Sequence, residues 1–145
     1  MSGVLSKELI VADGTARTFS EAIREAGELL VKAGAVDPAY VDSMEERERT
    51  MSTYMGNFLA IPHGTNESKS TIHRSALSLV RYAQPIDWGG RGDVHIVVGI
   101  AGVEDEHLEM LSKIAVVFSD EDDAARMRDA TTVDELYDLL ESVND

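Results

Sequence analysis

From Val94 to Ala101 the chain reads Val-His-Ile-Val-Val-Gly-Ile-Ala, an almost unbroken apolar run. A strand of that kind has no face to offer water, so it belongs in the middle of a sheet covered on both sides. The flanking sequence supplies the covers. Thr18 stands three residues before Glu21, the spacing of a capping box, and predicts a helix over Phe19–Lys32. Ile23, Ala26, Leu29, Leu30 and Ala33 make its apolar face, and Gly34 ends it. Asp37-Pro38 reads as an N-cap followed by proline at the first helical position, opening a helix through Tyr40, Val41 and Met44 to about Arg49. Downstream, Glu104-Asp105-Glu106 places acids at the start of another helix, where its dipole favours them. Its stripe is His107, Leu111, Ile114 and Phe118, broadened by Leu108, Met110 and Ala115. A short helix is expected over 120–130, and Thr132 with Glu135 caps a terminal helix carrying Leu136, Leu139 and Leu140.

Three further stretches suit strands: a short entry segment within Ser6–Val11, the apolar run before Pro62, and Ile72–Tyr82 with Ala76, Leu77, Leu79 and Val80. Gln84-Pro85 and Trp88-Gly89-Gly90 bracket an expected loop that Ile86 and Trp88 pin to the body. Thr50–Met55 is expected as a loop whose Met51, Tyr54 and Met55 go to the core rather than to a docking rim. The order predicts an α/β fold, a small mixed sheet of four or five strands flanked by helices on both faces. With 145 residues, 43% hydrophobic, and no repeat or linker, the expectation is one domain over residues 1–145.

Composition removes several chemistries. There are no cysteines, which excludes disulfides and thiolate catalysis. A net charge of -14 argues against nucleic acid or an anionic membrane as partner. It fits a basic protein partner, a general solubility trait or a salty cytoplasm. No apolar stretch reaches spanning length and no leader-like segment opens the chain, so a cytoplasmic location is expected. There is no Walker-type loop, dinucleotide fingerprint, nucleophile elbow or His-Glu-x-x-His motif. The four histidines leave only a dispersed two-histidine metal site.

One short stretch carries a positive signal. Gly56–Thr65 runs through Leu59, Ala60 and Ile61 to Pro62, His63 and Gly64. Pro62 fixes its own φ and holds Ile61 extended, and Gly64 lets the backbone turn away behind the histidine. His63 is thereby presented on backbone with little freedom, which is how a nucleophile is held. Neutral imidazole attacks phosphorus near pH 7, and the N–P bond formed stays labile enough to pass the group on. Cations must meet the equatorial oxygens. Arg47, in the charged run Glu45-Glu46-Arg47-Glu48-Arg49, is a candidate clamp; otherwise that run is a solvated helix face. His107 is a second candidate if the fold brings it to His63. His73 reads as an exposed loop residue and His95 as a structural one.

The motifs in order resemble a known family. They are Met44-Glu45-Glu46-Arg47-Glu48 with Thr53-Tyr54-Met55-Gly56, then Ile61-Pro62-His63-Gly64-Thr65 with Lys69, then Gly99-Ile100-Ala101 with Asp105-Glu106-His107-Leu108. From about Leu5 to Leu140 the chain resembles the enzyme IIA domains, mannitol/fructose class, of the bacterial phosphoenolpyruvate-dependent sugar phosphotransferase system. The resemblance implies a mixed five-stranded sheet and a phosphocarrier without cofactor or metal. His63 would accept the phosphoryl group from the phosphohistidine of HPr and give it to a cysteine of a cognate IIB protein, which serves the membrane IIC permease. His107 would hydrogen-bond the nucleophile or phosphoryl oxygens, and Arg47 would steady the phosphorylated state. The loop before Asp87-Trp88-Gly89 is shorter and less aromatic than is usual there, which leaves the sugar unassigned. A second implication, from the related nitrogen-regulatory IIA proteins, is a regulator that signals by phosphorylation-dependent binding without transport.

Overall fold

A computed structural model describes residues 3–144. Strand β1 (Ile10–Val11) is followed by helices α1 (Phe19–Lys32) and α2 (Ala39–Thr50), then by strands β2 (Tyr54–Gly56), β3 (Leu59–Ala60), β4 (Ala76–Asp87) and β5 (Asp93–Ala101). Helices α3 (Glu106–Phe118), α4 (Glu121–Asp129) and α5 (Val133–Leu140) complete it. The five strands form one mixed sheet in the order β1-β4-β5-β3-β2. β4 and β5 pair antiparallel, while β1 joins β4 and β3 joins β5 in parallel. β5 is interior, as its apolar run requires.

The alternation along the central strands divides the core. Leu77, Leu79, Ile96, Val98 and Ile100 pack with Met110, Ile114 and Phe118 of α3 and with residues of α4 and α5. Val80, Tyr82, Val97 and Ala101 meet Ala22, Ile23, Ala26 and Leu30 of α1, with Tyr40 and Met44 of α2. The helices therefore cover both faces, in agreement with the α/β order read from the sequence.

Local signals set the helix ends. The Thr18 hydroxyl accepts the Glu21 amide at 3.2 Å and the Glu21 carboxylate accepts the Thr18 amide at 3.2 Å, the reciprocal pair of a capping box. Gly34, just past α1, has φ +77, a conformation that favours glycine. Thr132 accepts the Glu135 amide at the start of α5.

Several expectations need correction. The segment around Gln84-Pro85 is not a loop: β4 continues to Asp87 through a register shift between Arg81 and Ile86, so the irregularity stays inside the ladder. Trp88 and Ile86 are buried as expected. Tyr54–Gly56 is a strand because it pairs with β3 through a tight turn at Asn57 and Phe58, both with positive φ. Met51 and Met55 are 66% and 52% exposed rather than in the core. Leu108, 66% exposed, and Ala115 fall outside the buried stripe of α3. The Asp37 carboxylate does not cap α2; it accepts His73 Nε2 at 2.7 Å on the surface. The charged end of α2 is not all solvated, since Glu48 is buried.

Candidate functional site

β3 is only two residues long, but its neighbour holds the chain beyond it. The Ile100 amide donates to the Pro62 carbonyl at 3.0 Å, and His63 forms a single parallel bridge with Ile100. Pro62 itself has no amide to place, so the carbonyl alone makes the link. His63 thus sits beside the carboxyl end of the central strand. Its ring is half-buried, and Nδ1 lies 2.9 Å from the Ile61 carbonyl oxygen. A carbonyl only accepts, so Nδ1 carries the proton and Nε2 keeps its lone pair.

Two glycines permit the close approaches around this ring. A Cβ at Gly64 would overlap the Tyr40 ring and come within 2.6 Å of the Ser43 and Ser68 hydroxyls. A Cβ at Gly102 would lie 2.5–2.7 Å from the Cα, Cβ and N of His107. Gly102 therefore lets the first turn of α3 close directly on the loop after β5. The result is that the His63 and His107 rings lie 4.9 Å apart, centroid to centroid, tilted by 57°.

The histidines open into a cavity of about 580 Å³ whose wall includes Arg47, Met51, Thr65 and Lys69. Arg47 reaches back from α2, with Nη1 donating to the Met51 carbonyl at 2.5 Å. Burial pushes the proton affinity of His63 below the ordinary histidine value, and the Arg47 charge adds to this; the Ile61 carbonyl and Glu48 oppose it. His107 is pushed further, to about 4, by burial first and then by His63, Lys69 and Arg47. Both rings are consequently neutral at pH 7. A neutral imidazole with a free lone pair, facing a cavity with two cations, is equipped to attack an electrophile bearing negative oxygens.

The fold thus gathers Arg47, His63 and His107, the three predicted site residues. It leaves Arg49 exposed and off the cavity wall. His73 is at the surface on Asp37, and His95 Nδ1 donates to the Tyr82 carbonyl at 2.7 Å, both as expected. Sequence reasoning passed over Tyr40, which looked like one more apolar position of α2, and gave no role to Lys69. Lys69 had a signal, its place just after the Pro-His-Gly motif; Tyr40 had none. Among the described residues no cluster of three or more His, Asp or Glu side chains is placed to hold a metal, and no helix is long and apolar enough to cross a membrane.

Similar proteins share nearly the whole chain. The mannitol-specific phosphotransferase enzyme IIA component of Halalkalibacterium halodurans is 46% identical over 98% of this chain and 97% of its own length. That of Geobacillus stearothermophilus is 44% identical over 97% of each. Among solved structures, the Escherichia coli complex of enzyme IIA mannitol with phosphorylated enzyme IIB mannitol gives a TM-score of 0.89 at 34% identity, covering 94% of this chain and 96% of that one. The crystal structure of IIA mannitol from Escherichia coli gives 0.87 at 36%, covering 93% and 97%. The nitrogen regulatory protein IIA-Ntr of Neisseria meningitidis gives 0.81 at 26%, covering 94% and 96%. The family model for the phosphoenolpyruvate-dependent sugar phosphotransferase system, EIIA 2, matches residues 3–143. With sequence and fold in agreement over that span, this chain belongs to the EIIA 2 family of that phosphotransferase system.

Proposed function

We propose that the chain is a phosphocarrier of one type 2 IIA domain over residues 1–145, phosphorylated on His63. The observation that carries this reading is the His63 ring itself, with Nδ1 committed to the Ile61 carbonyl and Nε2 left as the nucleophile beside His107 and Arg47. Nε2 attacks the phosphorus of the HPr phosphohistidine; the donor N–P bond breaks as the new one forms. Arg47 leaves the Met51 carbonyl to meet the phosphoryl oxygens with its fork of donors, and Lys69 adds a second charge. His107, neutral at pH 7, offers a ring N–H to the same oxygens. In the second transfer a thiolate of a cognate IIB protein attacks the same phosphorus, the N–P bond breaks with its electron pair returning to Nε2, and His63 leaves as the neutral Nδ1–H imidazole. The IIB protein then serves the IIC permease at the membrane, and the whole exchange takes place in the cytoplasm. The Halalkalibacterium halodurans and Geobacillus stearothermophilus relatives are mannitol-specific, so a mannitol IIB is the first acceptor to try.

Mixing the protein with phosphoenolpyruvate, enzyme I and HPr should add the mass of one phosphoryl group, and His63→Ala should abolish the addition. Adding the IIB protein should then empty the wild-type carrier. Failure of the first step with active components would overturn the carrier reading. Loading without any onward transfer across candidate IIB proteins would point to a regulator instead.

A further inference from the structure

Five consecutive charged residues end α2, and one of them faces inward. Glu48 is 8% exposed, while Glu46 and Arg49 are exposed. Its Oε1 accepts the Thr53 amide at 3.0 Å and the Thr53 hydroxyl at 2.5 Å; its Oε2 accepts the Trp88 indole N–H at 3.1 Å. No ion pair among the described residues includes it. A buried carboxylate satisfied by neutral donors holds each of them firmly, because releasing one would leave its charge under-solvated.

The bonds continue towards the nucleophile. The Thr53 carbonyl accepts the Ile61 amide at 3.0 Å, and the Ile61 carbonyl accepts His63 Nδ1 at 2.9 Å. We propose that Glu48 is a positioning residue for His63, setting the imidazole's tautomer and its orientation through Thr53 and Ile61. This rests on the reading of His63 as the phosphoryl acceptor. The amide and carbonyl of one residue lie in different peptide planes, so position is transmitted along this path rather than polarisation. β3 has only two paired residues, and Thr53 provides the grip on Ile61 that the short ladder lacks. A carboxylate in this place also opposes the Arg47 charge at the ring.

The rival role for Glu48 is structural, to hold Trp88. Two variants separate the roles. Glu48→Gln removes the charge and one acceptor, whereas Trp88→Phe frees only the Oε2 side. The readouts are the His63 ring nitrogen shifts and titration midpoint by NMR on the unphosphorylated protein, the phosphorylation rate, and the melting temperature. In Glu48→Gln the share of Nδ1–H tautomer should fall, the His63 midpoint should move down, and the rate should drop about tenfold or more, as small misplacements of a reacting group do. The midpoint moves down because an anion is lost while Arg47 stays; His107, Lys69, Glu46, Glu67 and Tyr40, the other titratable groups lining the cavity, are unchanged. Trp88→Phe should lower the melting temperature with the His63 shifts and midpoint unmoved. If Glu48→Gln does not fold, Thr53→Val, which removes one donor to Oε1, should displace the His63 shifts in the same direction by less. Wild-type His63 shifts and rate in Glu48→Gln, or equal losses of both in Trp88→Phe, would overturn the proposal; so would unmoved shifts in Thr53→Val. A wild type that takes no phosphoryl group defeats the carrier reading alone, since the ring measurements do not depend on transfer.

Discussion

The phenol oxygen of Tyr40 accepts the Gly64 amide at 2.9 Å and donates its own proton to the Ile100 carbonyl at 2.7 Å. One buried side chain of α2 thereby ties the residue behind His63 to the central strand. Burial pushes the Tyr40 phenol up to about 12, so it stays protonated and the donation to Ile100 persists across the working pH range. Tyr40→Phe should lose about 1–3 kcal/mol in a denaturant titration, because a buried amide and a carbonyl lose their partner. Gly64→Ala should cost a similar amount by forcing the Tyr40 ring and the Ser43 and Ser68 hydroxyls apart.

In the proposed mechanism His107 acts on the phosphoryl group without being the acceptor, so its removal should slow the carrier rather than silence it. His107→Ala should phosphorylate on His63 at a reduced rate, with an unchanged circular dichroism spectrum and a melting temperature close to wild type. An unaltered rate would remove His107 from the mechanism. Its NMR titration midpoint should lie near 4 and rise in Lys69→Gln, since Lys69 is one of the charges holding it down.

Arg47 and lysine differ in the number and plane of their donors. Arg47→Ala should lower the yield or shorten the lifetime of phospho-His63, followed by intact mass over time. Arg47→Lys should restore charge but only part of the lifetime. Equal lifetimes in all three proteins would make Arg47 an ordinary cap on the Met51 carbonyl.

The pH dependence of loading follows from burial of His63. Protonation would occupy Nε2 and stop attack, and in the folded protein protonation is shifted below the ordinary value of 6.5. The decline in the rate of phosphoryl acceptance with falling pH should therefore have its midpoint below 6.5. Mass-detected loading with donor phospho-HPr held in excess measures this directly. A decline already centred at or above 6.5 would contradict a depressed His63.

Much of the architecture was legible because its signals are local. Thr18 and Glu21 form the capping box their spacing implied, Gly34 takes the positive φ of a helix terminator, and Asp93–Ala101 is the interior strand its apolar run demanded. Misreadings arose where pairing or burial overrode composition. Gln84-Pro85 looks like a turn but lies inside β4, in the register shift between the paired residues Arg81 and Ile86. Met51 and Met55 are apolar yet exposed, one just past the end of α2 and the other on the edge strand β2.

By itself the sequence determined where helices begin and end, which strand is central, and that a histidine follows proline at a rigid turn, because capping, periodicity and fixed φ act over a few residues. The order of its motifs also determined the family. Only the tertiary structure decided that His107 closes to 4.9 Å from His63, which His63 nitrogen is free, and that Glu48 alone of its charged run turns inward. The meetings of His63 with His107 and of Glu48 with the Trp88 indole are contacts between residues distant in the chain, and the Ile61 carbonyl that fixes the His63 tautomer is itself held by Thr53 across the sheet edge, so local sequence cannot place them.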